Sequence, residues 1–428
     1  MDIEKIYAFF RESSGVSTDT RHIPKGSIFF ALKGANFNGN QFARQAITSG
    51  ARYAIVDESE FVDEKNGIFL VKDVLTTLQK LAGFHRKKLN IPVIGLTGSN
   101  GKTTTKELMT VVLKQKYTVT ATRGNLNNHI GVPLTLLSIP PDAEIAIVEM
   151  GANHQQEIEF LCCIAQPNFG YITNFGKAHL EGFGGVEGVI KGKSELYTYL
   201  KDNSQTVFVN CNDEKQLSLT ENMKRLLFGN CDDVKFSFKY KENNDGLCPE
   251  INYKSTAIQS PLVGSYNAFN VAAALAVGLE FGVPVEKIKF AIENYQADNN
   301  RSQIIHKENR QIILDAYNAN PSSMEAALRN FSLIKGEKAV ILGDMFELGE
   351  SSATEHQQVA ELAAKLGFEQ VFLIGERFSR VEISEKNIHK SVSKKEAIQF
   401  FKENPLSEKF LLIKGSRGMA LEELLELF

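Results

Sequence analysis

The chain has 428 residues, 43% of them hydrophobic and 23% charged, with a formal net charge of −3. That length predicts about two to four domains rather than one core. The near-balanced charge argues against a general nucleic-acid or membrane-binding surface, and no apolar run approaches the ~20 residues of a membrane span.

The opening Met1-Asp2-Ile3-Glu4-Lys5 lacks the basic-then-apolar layout of a signal peptide. The five cysteines show no Cys-x-x-Cys spacing. With Cys162 and Cys163 adjacent in an expected helix, reduced thiols in a cytoplasmic protein are the expectation. Residues 1–85 alternate short elements. Ser27–Leu32, Tyr53–Val56 and Ile68–Val71 read as strands, and Phe42–Ser49 and Val74–Leu89 as helices.

After Pro92 comes an apolar run, Val93-Ile94-Gly95-Leu96, then Thr97-Gly98-Ser99-Asn100-Gly101-Lys102-Thr103-Thr104, then a helical pattern with Leu108, Val111 and Val112 on its apolar side. Strand, glycine loop and helix N-terminus form a phosphate cradle. Lys102 would reach the β/γ-phosphates and the Thr103 hydroxyl would sit on Mg²⁺. The strict Walker pattern asks for glycine where this chain has Leu96, so the loop is shortened.

Further strands are expected at Ile145–Val148, Gly170–Thr173 and Thr206–Asn210, with helices between them, which predicts a mostly parallel sheet covered on both faces. Val234–Tyr240 alternates apolar and polar residues, as a half-exposed strand of a small antiparallel annex would. Asn267–Phe281 is an alanine-rich helix, and the polar run from Asp298 to Ser302 reads as a linker. A third βα series follows, with strands at Gln311–Leu314, Ala339–Leu342, Val371–Ile374 and Phe410–Ile413. Its helices are Ser323–Phe331, Thr354–Leu366, Lys394–Lys402 and Leu421 to the end. The expected fold is α/β in three domains: a small one over 1–85, a central doubly wound phosphate-loop domain over 86–298, and a Rossmann-like one over 299–428.

Ligands of open α/β sheets bind beyond the carboxyl ends of the strands. Glu149 ends such a strand and is a candidate Mg²⁺ ligand. His179 lies in a glycine-broken segment after another strand; on pattern alone it is a ligand or a structural histidine. Lys191 and Lys193 follow on a helix, as a charge clamp, a modified lysine or a solvated face. Asn125, Asn127 and Asn128 form an amide-rich loop suited to sugar hydroxyls or phosphates. In the last domain three loops follow strands: Asp315-Ala316-Tyr317-Asn318-Ala319-Asn320-Pro321, the stretch Gly343-Asp344 to Gly349, and Lys414-Gly415-Ser416-Arg417-Gly418. Together they predict a binding rim facing the phosphate loop.

These stretches, in this order, resemble the ATP-dependent Mur ligase family over all three domains. Thr97 to Thr104 is similar to its phosphate loop. Glu149-Met150-Gly151-Ala152, the run Asn174 to Glu181 and the Lys193 segment are similar to its central domain, and the three late loops to its dipeptide-adding branch. The Asp-Asn-Pro-Arg signature of the diaminopimelate-adding branch is not in the sequence. The resemblance implies ATP-driven amide formation through an acyl phosphate. ATP would meet Gly98, Ser99, Asn100, Gly101, Lys102, Thr103 and Thr104, with Lys102 catalytic. It implies a first Mg²⁺ at Thr103, Mg²⁺ binding by Glu149, a second Mg²⁺ at His179, and a carbamylated lysine at Lys193 that helps hold that second ion, with Lys191 aligning less well. It places adenine at Asn267 and Asn270, after Tyr266 where relatives often have His, and the linker and ribose contacts at Arg301 and Asp315.

The implied substrates are UDP-N-acetylmuramoyl-tripeptide and D-alanyl-D-alanine. The uridine nucleotide would meet Thr18, Asp19, Thr20, Arg21, Lys33, Asn36 and Asn38, although Asn38-Gly39-Asn40 stands where relatives often have Asp-Gly-His. Asn127, Asn128, Tyr317, Asn318, Asn320, Asp344, Lys414, Ser416 and Arg417 would meet the other substrate groups. A monomer without nucleic-acid partners is expected. The alternatives are another acyl-phosphate ligase of this superfamily, such as a different Mur ligase or a folylpolyglutamate synthetase-like enzyme, and a phosphate-loop ATPase without ligase activity.

Overall fold

The computed structural model describes residues 1–241, 248–297, 300–307 and 309–428. Asp298 and Asn299 of the expected linker, and the domain boundary expected between them, lie outside the described residues.

The central element is a seven-stranded sheet. Its spatial order is Phe236–Ser237, Lys224–Gly229, Thr206–Asn210, Phe169–Ile172, Val93–Thr97, Ile145–Glu149 and Val119–Ala121, all parallel. Val93–Thr97 and Ile145–Glu149 are buried along their whole length, the continuous apolar pattern of strands covered on both faces. On one face the helix Asn267–Glu280 lies against the phosphate-loop helix Lys102–Leu113. Small side chains allow the approach, since a Cβ at Gly278 would come within 2.5 Å of Val112.

The expected strand Val234–Tyr240 is two strands. Phe236–Ser237 edges the large sheet, whereas Lys239–Lys241 pairs antiparallel with Glu250–Tyr253, which pairs with Thr256–Gln259. The chain changes sheets at Phe238, whose N–H donates to Gly229 O at 2.7 Å. The expectation of reduced thiols is also corrected. Cys211 and Cys231 form a disulfide, leaving Cys162, Cys163 and Cys248 free. Spacing could not show it, because the two residues are 20 apart and meet only where neighbouring parallel strands end.

The N-terminal sheet has the order Val16–Ser17, Ile28–Phe30, Tyr53–Val56 and Ile68–Leu70, all parallel. The helix Val74–Lys88 continues through the boundary expected at residue 85 and packs on central helices. Arg86 fastens it by donating to Ala165 O and Gln166 O, both at 2.9 Å.

The C-terminal sheet runs Gln303–Lys307, Arg310–Asp315, Phe410–Lys414, Lys338–Gly343, Gln370–Ile374 and Ile388–Ser391, parallel except for its first pair. The helix expected from Leu421 is a 3-10 helix, Leu421–Leu427. Among the described residues no helix is long and apolar enough to cross a membrane.

Buried His356 holds the turn after Lys338–Gly343. Its Nε2 accepts the Met345 N–H at 3.0 Å and its Nδ1 lies 2.7 Å from Ser352 O, the arrangement of a neutral ring carrying its proton on Nδ1. Burial lowers its pKa from 6.5, against smaller opposing effects of Ser352 O, Asp344 and Glu355. The sign follows: this stabilisation is complete above pH 6.5 and is lost as pH falls through the lowered native value. Thermal unfolding is expected to show a drop in melting temperature on acidification that His356→Gln reduces; an identical pH profile in the variant would contradict it.

Candidate active site

The phosphate loop is built from behind. Gly98 has φ 141°, and a Cβ there would lie 1.9 Å from Thr173 Oγ1. Gly101 has φ 78°, and its Cβ would lie 2.6 Å from Asn270 Oδ1. Only glycine fits such positions. Ser99 N–H donates to Asn174 O at 3.0 Å, and Asn100 N–H to Asn174 Oδ1 at 3.1 Å. Those two amides are therefore committed to the protein, and the amides at the helix start, from Gly101 to Thr104, remain for phosphate oxygens.

Lys102 Nζ folds back onto Gly98 O at 2.7 Å and Ser99 O at 3.2 Å. Burial pushes its pKa down to about 8, with Glu149 opposing and Arg301 adding to the shift. Glu149 is buried at its strand end. Its Oε1 accepts from Thr103 Oγ1 at 3.3 Å and Asn127 Nδ2 at 2.8 Å, while Oε2 is buried without a hydrogen-bond partner. An orphaned carboxylate oxygen beside a phosphate-loop hydroxyl fits Mg²⁺, which takes one or two carboxylates together with substrate phosphates. A larger protein cage is not needed. Among the described residues no group of three His, Cys, Asp or Glu could hold a metal.

Lys193, on the helix Val186–Asp202, is fully buried, with Nζ 3.1 Å from Ala152 O and 5.0 Å from the Phe183 ring centroid. Among the described residues no carboxylate is within ion-pair reach. Burial, reinforced by the charge of Lys102, drives its pKa well below the usual lysine value and so favours the uncharged amine. Lys191, two residues earlier, is exposed. The helical period thus separates a solvated lysine from a buried one.

His179 has φ 51°, and its Nδ1 lies 2.5 Å from Glu347 Oε2, an ion-pair contact that falls short of an aligned hydrogen bond. Asn267, Asn270 and Thr105 form one chain: Thr105 Oγ1 donates to Asn270 Oδ1, Asn270 Nδ2 to Asn267 Oδ1, and Asn267 Nδ2 to Val263 O. The Tyr266 hydroxyl is 3.0 Å from Ser302 Oγ. Arg301 lies over the Tyr317 ring at 3.8 Å with Nε buried and unpartnered, and Lys414 Nζ pairs with Asp315 at 2.5 Å.

One cavity of about 960 Å³ gathers most of these groups. Lining it are Ser99 to Thr104, Asn127, Asn128, Glu149, His179, Asn267, Asn270, Arg301, Asp315, Tyr317, Asn318, Asn320, Lys414, Ser416 and Arg417. Gly98 does not line it but precedes Ser99, which does, and Lys193 lies behind Ala152, which also lines it.

Asp344 does not line the cavity. Its carboxylate is buried and accepts the N–H groups of Arg377 at 3.0 Å and Phe378 at 2.9 Å, so it shapes the rim instead of facing it. Asp344→Ala would strand both donors, and a loss of about 2 kcal/mol in denaturant unfolding is expected. Asn320 is likewise engaged within the protein, donating to Asn100 Oδ1 at 2.7 Å and capping the helix Pro321–Ser332.

The N-terminal candidates stand apart, and none of Thr18, Asp19, Thr20, Arg21, Lys33, Asn36 or Asn38 lines the cavity. Arg21 pairs with Asp19 at 2.7 Å, Lys33 with Asp57 at 3.0 Å, and Asn38 Nδ2 donates to Glu58. Sequence reasoning missed Phe346, Glu347 and Ser322, all cavity residues. The first two fell inside a loop already singled out, but nothing in its sequence said which side chains turn inward.

An amide-lined cavity carrying acidic and basic side chains alike, on a shortened phosphate loop between two α/β sheets, has the make-up of a site for a nucleotide's phosphates. Three family models match: the Mur ligase family catalytic domain over residues 12–93, the Mur ligase middle domain over 96–278, and the Mur ligase glutamate ligase domain over 300–417. The UDP-N-acetylmuramoyl-tripeptide–D-alanyl-D-alanine ligase of Bacillus subtilis is 34% identical, over 96% of this chain and 92% of that protein. A MurF crystal structure from Acinetobacter baumannii superposes with TM-score 0.86 at 31% identity, covering 96% of this chain and 92% of the other. The Thermotoga maritima MurF ligase in complex with ADP gives 0.85 at 27% identity, covering 98% and 97%. The chain belongs to the Mur ligase family.

Proposed function

We propose that this chain joins D-alanyl-D-alanine to UDP-N-acetylmuramoyl-tripeptide at the expense of ATP, in the cytoplasmic synthesis of peptidoglycan precursors, and that it works as a monomer. The observation that carries this reading is the convergence of the phosphate loop, Glu149 and the rim Tyr317–Asn318–Lys414–Arg417 on one cavity. Domains over 1–85, 86–298 and 299–428 divide the work. The first takes the uridine nucleotide, the second ATP, and the third the dipeptide.

ATP lies with its phosphates on the amides from Gly101 to Thr104, and Lys102 leaves Gly98 O to meet the β/γ-phosphates. Asn267 and Asn270 border the adenine, with Asp315 and Arg301 toward the ribose and phosphates. Thr103 and Glu149 would hold one Mg²⁺, and His179 with carbamylated Lys193 a second, and their charge would offset that of the phosphates. Lys193 suits carbamylation because burial favours its uncharged amine: the nitrogen attacks the carbon of CO₂ and loses a proton, and the neutral amine becomes an anionic carbamate.

The terminal carboxylate of the tripeptide attacks the γ-phosphorus, breaking its bond to the β-γ bridging oxygen. An acyl phosphate forms and ADP is released. The free amine of the dipeptide attacks the acyl carbon, phosphate departs from the tetrahedral adduct, and the nitrogen loses its proton. Lys102 and the loop amides spread the developing negative charge. Seating of the third domain over the loop keeps water from the acyl phosphate.

ADP release beyond a single turnover is expected to require UDP-N-acetylmuramoyl-tripeptide and D-alanyl-D-alanine together. Sustained release without the dipeptide would favour a plain ATPase, and sustained release with a different acceptor would favour another ligase of the superfamily.

A further inference from the structure

The segment from Asn174 to His179 is gripped from two sides. On the inner side it holds the phosphate loop. Besides the two bonds from Ser99 N–H and Asn100 N–H to Asn174, Asn174 Nδ2 donates to Asn100 O at 3.0 Å and Ser99 Oγ donates to Gly176 O at 2.7 Å. On the outer side it meets the C-terminal domain. Lys177 N–H donates to Ser322 Oγ at 2.8 Å, and Lys177 Nζ pairs with Glu355 Oε1 at 2.8 Å. Asn320 closes the circuit by donating to Asn100 across the same boundary. Gly176 lies between the two partners, since a Cβ there would come within 2.9 Å of Asn100 Nδ2 and 3.1 Å of Ser322 Oγ.

Glu355 stands out in this set. It is a buried carboxylate on a helix of the C-terminal domain, and among the described residues its ion-pair partner is Lys177 of the central domain. Neither residue lines the cavity. A half-buried pair is screened less than a surface pair, and removing one member leaves the other desolvated and alone. The pair therefore favours the seated arrangement of the two domains over a separated one.

We propose that residues 174–179 form a coupling strap, through which the shape of the phosphate loop sets the seating of the C-terminal domain, with Lys177 and Glu355 as its positioning pair. The strap is continuous in bonds from the loop backbone to the helix carrying Glu355. Nucleotide that fixes the loop thereby favours seating, and seating brings the rim of Tyr317, Lys414 and Arg417 over the γ-phosphate position. Reciprocity follows: an acceptor bound at the seated rim tightens the nucleotide by the same factor. The acceptor half of this inference rests on the ligase reading given above.

The test uses the full-length protein with a non-hydrolysable ATP analogue and Mg²⁺. Small-angle scattering reads compaction, and titration reads D-alanyl-D-alanine affinity with and without the analogue. The wild type is expected to contract and to gain dipeptide affinity on adding the analogue. Glu355→Gln and Lys177→Ala are expected to contract less and to lose about tenfold of that gain. The exchanged pair, Lys177→Glu with Glu355→Lys, is expected to recover part of it, which a merely structural role would not produce. Should Glu355→Gln fold poorly, Lys177→Ala removes the same pair from a side chain that is 42% exposed. Undiminished contraction and gain in folded Lys177→Ala would overturn the proposal. The two readings fail separately. Dipeptide-dependent ADP release by the wild type tests the ligase reading, whereas contraction with the analogue is read without any acceptor.

Discussion

Lys102→Ala lowers ATP-dependent ligation by at least about 10²- to 10³-fold, the scale expected when a positioned cation is removed from developing phosphate charge. Melting temperature stays level or rises, because desolvation disfavours the charged form of this part-buried amine. The separation of the two readouts matters. Among the described residues the hydrogen-bond partners of Lys102 Nζ are carbonyls of its own loop, at Gly98 and Ser99, so its removal breaks no bond between described elements. Single-turnover acyl-phosphate formation is the direct measurement. A variant turning over at near wild-type rate would remove the phosphate-loop assignment and with it the ligase mechanism.

Lys193→Ala is the second large effect. The variant is expected to be inactive and to regain activity when a small carboxylate such as acetate or formate is added in excess. The physical basis is the buried space that truncation leaves beside Ala152 and Phe183, in which a carboxylate replaces the carbamate's oxygens. Lys191→Ala is the control. Its side chain is in solvent, and activity close to wild type is expected without any additive. Rescue of Lys191→Ala, with Lys193→Ala unaffected by carboxylates, would move the modification to the other lysine.

The phosphate loop was legible in the sequence because its chemistry is local: strand, glycines and Lys102-Thr103 fall within a dozen residues. The parallel core strands were legible for a related reason, since burial on both faces writes an unbroken apolar run such as Ile145 to Val148. What escaped depends on the fold. The edge strands Gln303–Lys307 and Ile388–Ser391 carry His306, Lys307, His389 and Lys390 and show no apolar alternation to read. Asp344 resembled a substrate contact because it is a carboxylate in a glycine-bounded loop, yet the fold turns it inward onto two amides. Contacts such as Asn100 with Asn320 join residues 220 positions apart, beyond the reach of any local pattern.

The bonds from Asn174 to Ser99 and Asn100 have a thermodynamic consequence for nucleotide capture. In the seated arrangement they hold the loop backbone in its cradle shape, so a seated protein has lost the conformational entropy of ordering that loop before nucleotide arrives. ATP meeting the seated protein needs little backbone rearrangement, and the principal internal contacts to be exchanged are those of one lysine side chain with Gly98 and Ser99. The heat and entropy of nucleotide binding then report desolvation and charge pairing at the cradle together with whatever seating the nucleotide draws with it.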